Sequence, residues 1–231
     1  MYPSRTINKG VFVDSGTVSF SLLELFRMGG VFMWPLLAFS IATITIGVER
    51  AVYFIYHNRR VDDLGGEVSR LLADGNYQGA VDYLSGLTQR RMGARILLAL
   101  VNRARTDGGK PFSEHHAERA VETEAMSCIN SMENGFNFLV ALGSLSPLTG
   151  FLGTVSGMIG AFKSIAEATE VNAQIVANGI YEALITTVFG LIIAIIAMIF
   201  HSIFNHMVDK FAGEIEKICS DLIAGIADRQ R

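Results

Sequence analysis

One carboxylate, Glu182, stands at the head of a segment long enough to cross a bilayer. Asn178-Gly-Ile-Tyr-Glu-Ala-Leu-Ile-Thr-Thr-Val-Phe-Gly leads directly into the apolar run Leu191 to Phe200. An ionisable side chain inside hydrocarbon costs roughly 2.5–3.5 kcal/mol on insertion scales, so such a residue is first read as functional. Two hydroxyls, Thr186 and Thr187, follow about one helical turn later. Thr186 is four residues on and shares the Glu182 face, while Thr187 is rotated toward Ala183. A third hydroxyl, Thr154, lies in a separate apolar stretch beside a row of glycines. Desolvation raises a carboxyl pKa, so a buried Glu182 would take up a proton near neutral pH. Together these groups suit an ion or proton relay.

Each residue also has a plainer reading. Glu182 at the outer headgroup level would simply be solvated. A lone threonine in a span usually bonds its own helix carbonyls. Against the first, Gly179, Ala183, Thr186 and Gly190 form a stripe of small residues, which in a membrane means packing against protein. Against the second, threonines on two neighbouring spans can form a polar seam.

Other chemistry finds little support. His115-His116 and the acids nearby lack ligand spacing, so no metal site is expected. The Gly150–Gly157 region lies inside an apolar segment with no lysine–serine pair, so it is no phosphate loop. With no nucleophile–base constellation in view, neither an enzyme nor a cofactor is expected, only protons as the transported ion. A net charge of −3 argues against a nucleic-acid partner. Cys128 and Cys219 read as free thiols.

The elements that position these residues are helices. The 231 residues are 50% hydrophobic and only 18% charged, with mean hydropathy +0.37, which points to a membrane protein with some water-exposed mass. The pattern predicts an all-α, polytopic chain with three transmembrane helices and long helical extensions into the cytoplasm. Residues 1–30 form a polar N-terminal segment with a short amphipathic helix ending before Gly29-Gly30. Residues 31–56 form the first span, with Trp34 at one end and Tyr53 and Tyr56 at the other, and 57–135 a soluble helical region. The second span, 136–162, carries Gly150, Gly153, Gly157 and Gly160 on one stripe, continued by Ser164, together with Pro147, which predicts a kink. A polar loop at 163–179 precedes the third span at 180–204. Residues 205–231 continue as a helix whose Val208, Phe211, Ile215, Ile218 and Leu222 make a seam for a neighbouring helix or subunit. Arg50, Arg59 and Arg60 follow the first span, so the positive-inside rule puts the N-terminus outside (periplasmic) and the large loop and tail in the cytoplasm.

Three stretches together resemble the ExbB/TolQ/MotA family of proton-channel subunits. They are Gly29-Gly-Val-Phe-Met-Trp-Pro-Leu-Leu through Gly47-Val-Glu-Arg, Ser146-Pro-Leu-Thr-Gly-Phe-Leu-Gly-Thr-Val-Ser-Gly-Met-Ile, and Gly179-Ile-Tyr-Glu-Ala-Leu-Ile-Thr-Thr-Val-Phe-Gly-Leu. The resemblance covers the membrane portion and its order; the soluble portion matches in helical character and length. It implies a pentamer in the inner membrane of a Gram-negative cell, its second and third helices around a pore that holds a dimer of an ExbD/TolR-like single-span protein. Proton flow would energise a TonB-like protein acting on outer-membrane transporters. The family's pore threonines fall on Thr154 and Thr187 and its glutamate on Glu182; Thr186 stands where the family often has alanine. The glycine–tryptophan–proline opening favours ExbB over TolQ. A TolQ-like role in envelope integrity and a non-conducting helical scaffold are the alternatives.

Overall fold

The computed structural model describes residues 22–56, 61–106, 112–167 and 173–230. The expectations for residues 1–21 and for the loop at 107–111 lie outside that set. Among the described residues all regular structure is helical: α1 Leu22–Met28, α2 Met33–Tyr56, α3 Asp62–Ala73, α4 Tyr77–Ser85, α5 Met92–Thr106, α6 Glu114–Glu133, α7 Phe136–Glu167 and α8 Ala173–Gln230. Three helical stretches are long and apolar enough to cross a membrane, one in α2, one in the α6–α7 pair and one in α8.

Local sequence explains the boundaries. Pro35 sits in the first turn of α2, where its missing N–H does no harm. The α6–α7 break falls at Asn134-Gly135, and Gly135 has φ +90, a conformation open to glycine. Pro147 does not end α7, which is helical from Phe136 through Glu167. The expected loop at 163–179 is therefore shorter than its polarity suggests: helix persists to Glu167 and resumes at Ala173. Lys163 to Asn178 holds neither glycine nor proline, and Lys163 and Glu167 face each other one turn apart at 3.9 Å.

Outside the spans, the helices share one core. Val61, Leu64, Val68 and Leu72 of α3, Ala80 and Leu84 of α4, and Ile96, Leu97, Leu100 and Val101 of α5 are buried. On α6 Ala117, Cys128 and Met132 join the same core, with Val121 and Ala125 packed partly buried against it and Phe136 following at the head of α7. The seam on α8 does so too, through Val208, Phe211, Ile215, Cys219 and Leu222. This seam was expected to meet a neighbouring helix or subunit; the chain's own helices cover it. Its register also slips: Cys219 is buried, while Ile218 is half-buried beside Gly65. A straight helix turns once per 3.6 residues, so a 3.5-residue repeat drifts off one face.

Arg50 and an aromatic cluster tie spans to core. Arg50, buried at the end of the apolar part of α2, donates to the Ser131 carbonyl in the last turn of α6 at 3.1 Å. Its guanidinium also bonds both Glu49 oxygens at 2.5 and 2.6 Å and lies 4.8 Å from the Tyr53 ring centroid. Beside it, Phe204 stacks with Phe54, Phe136 and Phe200 at 5.6–6.1 Å, joining all three spans at one level.

Both cysteines are free and buried. Burial pushes the Cys219 thiol from 9.0 up to about 12 and raises that of Cys128. Because the thiolate is the reactive form, maleimide should label neither residue in the folded protein at neutral pH and both after denaturation. The sign of the shift adds a pH effect. Folding favours the neutral thiol, so stability from this source is intact below about pH 9 and falls as pH climbs toward 12. Thermal melts of wild type and Cys219→Ala across that range should converge as pH rises.

Candidate functional site: a hydroxyl cluster and a carboxylate on two faces of one helix

Helices α7 and α8 pack through glycines. A Cβ placed on Gly150 would lie 2.8 Å from the Thr186 carbonyl oxygen and 3.1 Å from Thr187 Cα. One on Gly190 would lie 2.5 Å from the Ser146 carbonyl oxygen, one on Gly179 2.6 Å from Ala161 Cβ, and one on Gly157 3.1 Å from the Gly179 carbonyl oxygen. One on Gly153 would overlap the Thr186 side chain. Most of these neighbours are backbone or Cβ atoms that cannot swing aside, so only glycine permits the approach. Gly160 is the exception: it is exposed, with nothing within 4 Å of its Cβ position among the described residues. Buried Ala161 takes its place, because the stripe steps by four there as a straight helix requires.

The close approach brings three hydroxyls onto two carbonyls. Thr186, fully buried, donates to the Ala183 carbonyl at 2.8 Å and reaches that of Gly150 at 3.3 Å. Half-buried Thr154 reaches Gly150 O at 3.3 Å and, across the interface, Ala183 O at 3.2 Å. Half-buried Thr187 reaches across to Gly150 O at 3.2 Å. Thr154 and Thr187 also bond each other, and either oxygen can be the donor. Each hydroxyl has one proton and two lone pairs. If Thr154 donates to Thr187, Thr187 passes its own proton to Gly150 O. If Thr187 donates to Thr154, Thr154 passes its proton to Ala183 O. Both arrangements bond every proton, and they differ only by rotation of two hydroxyls. The plain expectation of hydroxyls tied to their own helices holds in part: Thr154 and Thr186 do bond their own helices, but Thr187 bonds only across the interface.

Glu182 lies elsewhere. It was expected to share a face with Thr186, but Thr186 joins the α7-facing stripe Gly179, Ala183, Thr186 and Gly190. The neighbouring face, with Ile185 and Ile193, packs on Met33 and Leu36 of α2. Glu182 falls at the head of that face, and a Cβ on Gly30 would overlap its carboxylate. Residues four apart differ by about 40° around a helix, enough to part them when helices press from two sides. Gly30 was missed as a site residue, since its pair with Gly29 reads as a break in the apolar pattern. Its left-handed φ of +64 leaves no trace in sequence beyond the glycine itself. Thr43 was also missed: it is 1% exposed inside α2, and its hydroxyl has no partner among the described residues.

A protein-family model, that of the MotA/TolQ/ExbB proton channel family, matches residues 88–217, more than half of the 231. The chain belongs to this family. Among curated relatives, it is 27% identical to the biopolymer transport protein ExbB of Salmonella typhimurium over 194 residues, 83% of this chain and 78% of the relative. It is 33% identical to a putative ExbB-like protein of Synechocystis over 188 residues, 77% of this chain and 68% of the relative. A shorter stretch of 70 residues, 30% of this chain and 31% of the relative, is 46% identical to the Tol-Pal system protein TolQ of Haemophilus influenzae. Membership makes this a membrane subunit of the proton-channel type, most like ExbB.

The glycine geometry separates two substitutions that look alike in sequence. Gly150→Ala should part α7 from α8, breaking the Thr154–Thr187 bond and costing about 1–3 kcal/mol through overpacking. Gly160→Ala should be neutral or stabilising by up to about 1 kcal/mol, because alanine is the better helix former. Thermal melts of the detergent-solubilised protein check both.

Proposed function

We propose that this chain is the proton-conducting subunit of an energising complex, with no enzymatic activity and no cofactor. Protons pass along the Thr154–Thr187 pair, with Thr186 as an auxiliary hydroxyl and Glu182 as the carboxylate that loads or releases them. The observation that carries this reading is the hydroxyl pair, which can be bonded in either direction without leaving a proton unpaired. Proton passage along hydroxyls needs that property, since each transfer reverses the pair.

On this reading the complex is a pentamer of this chain around a dimer of an ExbD/TolR-like single-span partner, as the resemblance implies. The proton flow then drives a TonB-like protein that serves outer-membrane transport. The chain sits in the bacterial inner membrane, with its N-terminus periplasmic and its C-terminus cytoplasmic. Similarity to the ExbB of Salmonella typhimurium over most of both chains supports this reading. The stretch shared with the TolQ of Haemophilus influenzae supports a second one, a TolQ-like role in envelope integrity.

The test is proton flux into liposomes containing this chain and its single-span partner. Thr154→Val keeps the shape of the side chain and removes its hydroxyl; Glu182→Ala removes the carboxylate. Each should lower flux by about tenfold or more, the effect of roughly 1.4 kcal/mol in a rate-limiting step, with assembly unchanged. Undiminished flux in both variants would leave the non-conducting scaffold as the better account.

A further inference from the structure

Accepting the pathway reading above, we infer that Gly30 is a positioning residue for Glu182. The turn between α1 and α2 is a seat for the carboxylate, and it holds that group away from the hydroxyl pair.

Three observations converge on the seat. A β-carbon at position 30 would overlap the Glu182 carboxylate, so the turn accepts that group only because residue 30 has no side chain. The backbone at Gly30 has φ +64, so the turn also needs glycine for its own shape. The α8 face that Glu182 heads is fixed by hydrocarbon packing of Ile185 and Ile193 on Met33 and Leu36, so the carboxylate is delivered to this turn by the register of two helices. At 100° per residue, Glu182 and Thr187 point about 140° apart around α8. The seated carboxylate therefore faces α1 and α2 while the Thr187 hydroxyl faces α7. Transfer between them requires the carboxylate to leave its seat or α8 to turn. Gly30 sets the seated state without touching the proton.

Gly29 provides the control. A Cβ there would crowd the flexible Met33 side chain and come within 3.4 Å of an Ile185 methyl, and none of its three nearest atoms belongs to a carboxylate. The probe is dicyclohexylcarbodiimide, which modifies protonated carboxyls in apolar surroundings; the complex in liposomes is labelled and the Glu182 peptide quantified by mass spectrometry. Gly30→Asn is the main variant, because asparagine tolerates the left-handed backbone yet adds the obstructing β-carbon. Displacing the carboxylate from its seat should raise the Glu182 labelling rate several-fold in Gly30→Asn and in Gly30→Ala, and leave it unchanged in Gly29→Ala. A labelling rate in Gly30→Asn equal to wild type, or an equal rise in Gly29→Ala, would overturn the inference. Labelling reads the position of the carboxylate and not its use. Wild-type proton flux in Glu182→Gln would instead remove the pathway reading, so the two can fail separately.

Discussion

In hydrocarbon no water relieves a polar atom that lacks a partner, so a span hydroxyl left unanswered, like that of Thr43 in α2, is costly, and most are answered by protein. The close contact of α7 and α8 meets that demand in an unusual way. Glycines at 150, 157, 179 and 190 bring two backbones together. The carbonyls of Gly150 and Ala183 then become shared acceptors for hydroxyls from both helices. Were the helices farther apart, each threonine would fall back on its own turn and no path would cross the interface. The glycine contact is therefore the condition for the chemistry as well as for the packing.

Helix α8 carries two such relationships at once. One face meets α7 through small residues; the next meets α1 and α2 through isoleucines and Glu182. Beyond the spans the same helix buries Val208, Phe211, Ile215 and Leu222 in the core of the soluble helices. Three environments thus fix the rotation of one rod. A carboxylate at the head of one face and hydroxyls on the next are held apart by geometry rather than by distance along the chain.

Much of this was legible in the sequence. Charge-free runs marked the spans, and glycine spacing marked the α7–α8 contact. What escaped has a common cause. A step of three falls about 60° short of a full turn and a step of four about 40° past it, so spacing alone leaves open the choice between Gly160 and Ala161, between Ile218 and Cys219, and between the α7 side and the α2 side for Glu182. Polarity between Lys163 and Asn178 suggested a loop, yet with no glycine or proline there α7 runs on to Glu167 and α8 is already helical at Ala173. Gly30 was visible only as a residue type, because its role depends on a side chain far away in the chain.

The molecule connects its spans to its soluble helices in two ways that differ mechanically. Between α6 and α7 the backbone breaks at Asn134-Gly135, with φ +90 at the glycine. Helix α8 crosses the same level without interruption, 58 residues from Ala173 to Gln230. The first connection is a joint and the second a strut about 87 Å long at 1.5 Å per residue. Glu182 in the third span and Phe211 and Ile226 in the soluble core thus belong to one continuous helix, whereas α6 and α7 are separate helices that meet at Gly135. Any rotation of α8 as a rigid rod at the level of Glu182 would also turn the side chains it buries in the soluble core.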